Sequence, residues 1–86
     1  MRLNELRKQI EDIDEEMLHL FLKRMEISHQ IGLYKKEHHL PILDEKREAE
    51  LLDKQRKLLD NDKLWPLYKE FLKEVMKLSK DYQKIC

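Results

Sequence analysis

Apolar side chains recur at Leu3, Leu6, Ile10, Ile13, Met17, Leu20, Ile27, Ile31 and Tyr34, in alternating steps of three and four with Arg24 filling the gap after Leu20. That is the spacing of a heptad seam on one face of an α-helix, and an alternating strand pattern does not produce it. The stripe predicts a single helix from about Leu3 to His38. A helix of about 36 residues is about 54 Å long at 1.5 Å per residue. A compact globule of 86 residues is only about 30 Å across. One copy of the chain cannot cover its own first helix. The uncovered part of the stripe needs a partner, and the commonest solution is a two-fold homodimer with the long helices packed together.

The rest of the chain fits an all-α fold of three helices, one long and two shorter, forming one domain over residues 1–86 of an intertwined homodimer. It has no Thr and a single Val, the residue types that strands favour. Gly32 lies within the first helix, where glycine costs about 1 kcal/mol against alanine, so close packing or a ligand is expected there rather than a helix end. In "EHHLPILDEKRE", Pro41 drives Leu40 out of the helical region and Asp44 can cap a new start. The second helix is expected over Glu45 to Leu59. "DNDK" forms the next break, with Asp62 as the expected N-cap and Pro66 tolerated in the first turn. Helix three then carries Leu64, Leu67, Phe71, Val75, Leu78, Tyr82 and Ile85 on its seam.

Eighteen basic residues balance eighteen acidic ones, so no global field draws the molecule to nucleic acid or to an anionic membrane. Any anion site must be local. The opening "MRLNELRKQIEDIDEE" is charged throughout and lacks the apolar run of a signal peptide or spanning helix, which points to the cytoplasm. Cys86 is the sole cysteine and the last residue, so it forms no intrachain disulfide and reads as an incidental free thiol. His38 and His39 are adjacent and lack further ligands at metal-binding spacing, so they read as loop residues and no metal is expected.

Arg24 stands where the stripe calls for an apolar side chain. Burying a guanidinium costs several kcal/mol unless it is paired. An internal carboxylate such as Glu48 or Asp44, an outward reach to solvent, or a ligand anion held bidentately would each meet that need. Lys35 follows Arg24 by three helical turns and points the same way, about 16 Å along the axis, so the two cations can converge on one small ligand. Arg7 is about 25 Å from Arg24 and about 100° around the helix; if it serves an anion site, the partner chain's is the simplest one. Asp44, Arg47 and Glu48 share one face of the second helix's first turn, as a solvated capping cluster or as one side of a pocket. Ser79 and Gln83 continue the line of Leu72 and Met76 and set two neutral hydrogen-bonding groups beside the apolar seam. Gathered in one bundle, these groups would line a pocket with a cationic floor.

The run "LRKQIEDIDEEMLHLFLKRMEISHQIGLYKKEHHLPILDEKRE" resembles the first helix, loop and second-helix start of the all-helical (AroQ-class) chorismate mutases. The shared frame is LRxxIxxID, LxxR, IGxxK, PIxDxxRE and S-x-x-x-Q, spread in order from Leu6 to Gln83. IGxxK and PIxDxxRE are its selective parts. The resemblance implies an intertwined three-helix dimer that rearranges chorismate to prephenate, without cofactor or metal, on the route to phenylalanine and tyrosine. It assigns the two carboxylates of chorismate to Arg24 and to Arg7 of the other subunit. Lys35 and Gln83 would reach the ether oxygen, Glu48 and Asp44 the ring hydroxyl, Arg47 would orient the acidic groups, and Ser79 would assist at a carboxylate. Lys35, Gln83, Arg24 and Glu48 are the expected catalytic set. The link between the second and third helices is one residue shorter than in some relatives, and Met25 and Leu43 stand where some carry arginine. An isochorismate pyruvate-lyase of the same fold and a non-catalytic helical dimerisation module are the alternatives.

Overall fold

A computed structural model describes residues 1–85; Cys86, and with it the reading of a free thiol, lies outside the described residues. Three helices account for nearly all of them: α1 (Arg2–Glu37), α2 (Glu45–Leu59) and α3 (Trp65–Ile85), with no strand among the described residues. The α1 bounds lie within one residue of those expected from the stripe, and the α2 bounds coincide with the expectation.

Local chemistry explains each end. Helix α1 stops one turn before Pro41. His39 takes a left-handed conformation (φ 57°) and donates its amide to the Lys36 carbonyl at 3.4 Å. Leu40 donates to the Lys35 carbonyl at 2.8 Å, which completes a Schellman-type cap with histidine in the position usually held by glycine. The His38 ring stacks on Tyr34 at 4.0 Å between centroids. Asp44 caps α2 as expected, its Oδ1 accepting the Arg47 amide at 3.0 Å. Helix α2 ends at Asp60, also left-handed (φ 46°, ψ 47°). The start of α3 differs from expectation. Asn61, not Asp62, is the capping acceptor, with Oδ1 taking the Leu64 amide at 3.1 Å and its carbonyl taking the Trp65 amide at 2.9 Å. Asp62 instead lies 3.9 Å from the Arg56 guanidinium and is almost fully exposed.

Helix α3 is the central element, since α1 and α2 each pack on it rather than on each other. The packing face is not the heptad stripe. Helix α1 buries Met25, Ser28 and Gly32, and α3 buries Trp65, Leu72, Met76 and Ser79. A Cβ added to Gly32 would stand 3.1 Å from both Cα and the carbonyl oxygen of Gln83, so the two backbones approach there as only glycine permits. The small line of Ser28 and Gly32 can accept that approach, whereas the bulky stripe cannot. The stripe faces outward in the single chain: Ile10 is 58% exposed, Leu20 63% and Ile27 53%, and on α3 Leu67 is 69% exposed. The molecule is correspondingly elongated, 56 × 27 × 16 Å with a radius of gyration of 16.0 Å, against about 12 Å for a compact chain of this length.

Candidate active site

The helices converge on one hollow of about 380 Å³ at the junction of all three elements. Seven of the eight residues singled out from the sequence line it: Arg24 and Lys35 from α1, Asp44, Arg47 and Glu48 from the start of α2, and Ser79 and Gln83 from α3. Ile31, Ile42, Leu51 and Met76 supply apolar wall between them. Arg7 does not reach it. It lies on the exposed first half of α1, seventeen residues and about 25 Å before Arg24.

Two cations in this hollow, Arg24 and Lys35, hold neutral partners. The Arg24 guanidinium donates from Nη1 to the Ser79 hydroxyl, tying α1 to α3. Lys35 donates from Nζ to the Ile42 carbonyl at 2.9 Å, pinning the loop after α1. Of the three answers open for Arg24, an internal carboxylate is not the one taken among the described residues. Among the described residues, Arg24, Lys35 and Arg47 make no ion pair. Arg47 serves Asp44 through its backbone amide. Ser79 is 5% exposed, and the Oε1 of Gln83 is buried without a hydrogen-bond partner among the described residues.

Two polar lining residues were not singled out from the sequence, Ser28 and Lys80. Ser28 lies one turn beyond Arg24 and one turn before Gly32, a spacing that would have placed it on the packing face. Lys80 lies one turn beyond Met76. Its Nζ contacts Oε1 of Glu48 at 2.7 Å, the only ion pair joining α2 to α3 among the described residues. A second hollow of about 530 Å³, lined by Leu40, Pro41 and Leu43 of the loop, shares Lys35 and Asp44. There a single cation faces Asp44 and Glu45, a balance that does not suit an anion.

The family model of chorismate mutase type II matches residues 6–84. The chain belongs to this family. Its curated relatives include the T-protein of Haemophilus influenzae, 41% identical over 54 residues that make up 63% of this chain and 14% of that protein. The bifunctional chorismate mutase/prephenate dehydratase of Aquifex aeolicus is 34% identical over 86 residues, 91% of this chain and 24% of that protein. The T-protein of Enterobacter agglomerans is 36% identical over 78 residues, 90% of this chain and 21% of that protein. The chain thus spans no more than about a quarter of the length of these curated relatives. A solved structure of a conserved hypothetical protein from Pyrococcus furiosus superimposes with a TM-score of 0.80 at 37% identity, covering 96% of each chain. The type II match includes every residue of the hollow and the stripe of α1 from Leu6 onward. Among the described residues, no helix is long and apolar enough to cross a membrane, and no group of three His, Cys, Asp or Glu is placed to hold a metal ion.

Proposed function

We propose that this chain catalyses the Claisen rearrangement of chorismate to prephenate, as an intertwined homodimer with two active sites. The observation that carries the proposal is the gathering of Arg24, Lys35 and Arg47 in one hollow where, among the described residues, none of the three makes an ion pair. A half-buried guanidinium bonded only to a hydroxyl is under-compensated, and a carboxylate of the substrate supplies the missing charge bidentately. The volume of about 380 Å³ falls in the range of small-molecule pockets.

The reaction breaks the ether C–O bond and forms a C–C bond within one molecule. It requires no nucleophile and no proton transfer. The protein's task is to hold a flexible dianion in its compact, chair-like shape and to place donors where negative charge develops. Arg24 and the partner subunit's Arg7 clamp the carboxylates, with Ser79 beside Arg24. Lys35 and Gln83 address the ether oxygen, whose charge grows as the bond lengthens. The donor in Gln83 is its Nε2 amide group; the buried Oε1, without a hydrogen-bond partner among the described residues, can only accept. Glu48 and Asp44 accept from the ring hydroxyl, and Arg47 orients them. A millionfold acceleration corresponds to about 8 kcal/mol, which two clamps and two donors can supply.

The homodimer rests on the outward stripe and on the elongated shape, which leave a continuous apolar face along α1. In an antiparallel pairing of two such helices, Arg7 of one chain reaches the hollow of the other. A cytoplasmic location belongs to the same proposal and is supported by the charged, cysteine-poor composition. The deciding experiment is prephenate formation from chorismate by the purified chain, run beside isochorismate. Prephenate without release of pyruvate from isochorismate is the expected result; the reverse outcome sinks the proposal.

A further inference from the structure

The hollow holds four cations and two carboxylates, one of them Glu48. This carboxylate shares the hollow with Arg24 and Lys35 of α1, Asp44 and Arg47 of α2, and Lys80 of α3. Among the described residues it pairs with Lys80 alone, at 2.7 Å, and both side chains are only about one-quarter exposed (26% and 28%). Arg24 and Lys35 are left with a hydroxyl and a carbonyl as acceptors. Neutral acceptors are readily exchanged for carboxylate oxygens. An ion pair with Glu48 would have to be broken first, and a dianion would then meet a carboxylate already seated among the cations.

We propose that Lys80 is a positioning residue that engages Glu48 and so keeps Arg24 and Lys35 available to a dicarboxylate ligand. Lys80 belongs to α3 and Glu48 to the first turn of α2, so the pair also fixes which way the Glu48 carboxylate faces across the hollow. The unused oxygen of Glu48 is thereby presented to a neutral donor such as a ring hydroxyl, rather than to the clamping cations. This inference rests on the proposed site for chorismate, but it concerns ligand affinity and not turnover.

The test is a double-mutant cycle read by calorimetry on the full chain. The probe is a bicyclic dicarboxylate that mimics the chair-like transition state. Lys80→Met is expected to raise its Kd about tenfold, equal to about 1.4 kcal/mol, because Glu48 turns toward Arg24 or Lys35. In a Glu48→Gln background, Lys80→Met should change Kd by less than about twofold, since a neutral amide competes weakly for the cations. Lys80→Arg, which keeps the ion pair, should bind like the wild type. An equal loss in both backgrounds would mean that Lys80 acts on the ligand directly, and no loss in either would mean that it acts on nothing. Both results overturn the proposal. If Lys80→Met fails to fold, Lys80→Gln replaces it in the cycle with the same expected pattern. A wild-type chain that binds the probe but forms no prephenate refutes the catalytic reading and leaves the Lys80 cycle interpretable. Prephenate formation with an additive cycle refutes the Lys80 proposal alone.

Discussion

Arg24 and Ser79, fifty-five residues apart in sequence, are joined by a hydrogen bond from the guanidinium to the hydroxyl, and this contact is the floor of the hollow. It commits the guanidinium to a partner that a substrate carboxylate can displace or share. Arg24→Ala is expected to lower kcat/KM by about 10²–10³-fold, the equivalent of about 3–4 kcal/mol, as for removal of one side of a desolvated charge pair. Its stability should fall by about 1 kcal/mol, since the hydrogen bond to the buried Ser79 hydroxyl is lost. Ser79→Ala removes the same bond at a similar cost in stability but should be milder in catalysis, with a modest rise in KM. Steady-state kinetics separate the two, and thermal melting reads the loss they share. An Arg24→Ala variant with near wild-type kcat/KM would remove the clamp.

Lys35 is pinned at the mouth of the hollow by the Ile42 carbonyl at 2.9 Å. If it meets charge that grows in the transition state, its removal costs turnover more than binding. Lys35→Ala should therefore lower kcat by about 10²-fold or more, by analogy with loss of a single oxyanion donor, while KM rises less. A variant with unchanged kcat and a raised KM would show Lys35 to be only a ligand of the ground state.

Arg7 is too far along α1 to enter its own hollow, so the proposed dimer predicts complementation. Arg7→Ala and Arg24→Ala homodimers should each be nearly inactive. Unfolded together in equal amounts and refolded, they should form mixed dimers in half of all cases, each with one intact and one doubly altered site. About one quarter of wild-type activity should return on statistical pairing across a two-fold interface. No recovery, in a mixture shown by sedimentation to contain dimers, would place both arginines in the same chain's site. A folded monomer at micromolar concentration would remove the dimer itself.

Gly32 stands where a methyl group would meet the Gln83 backbone at 3.1 Å. Backbone atoms cannot swing aside, so Gly32→Ala must push α3 away from α1. The helix-propensity gain of about 1 kcal/mol is opposed by an overpacking cost of about 1–3 kcal/mol. A net loss of up to about 2 kcal/mol is expected in denaturant unfolding. Displacing Gln83 should also lower kcat, with KM changing less. Wild-type kcat in Gly32→Ala would separate the close approach from catalysis.

Much of the fold was legible from local chemistry. The α1 stripe, the Pro41 break and the Asp44 cap act over a few residues, and their helix ends lie within a residue of the expected positions. The α3 start was displaced because Asn61 and Asp62 are both good caps, and only the path of the turn decided that Asn61 would take the Leu64 amide. Helical spacing indicated which of the candidate side chains share a face, and the family resemblance supplied their proposed roles. Seven of the eight meet in one hollow. Lys80 was not legible, since a lysine on a helix rich in lysine gives no local signal, and its partner is thirty-two residues away in the chain.

Sequence alone determined three helices, their ends to within a turn, and an apolar face on α1 longer than one chain can cover, because period, capping and length are properties of contiguous residues. Tertiary structure alone decided which face of α1 meets α3. The choice went to Met25, Ser28 and Gly32 rather than to the larger stripe, because two helices approach most closely where side chains are smallest. The same choice turned Arg24 toward Ser79, set Lys80 against Glu48, and left the stripe facing outward.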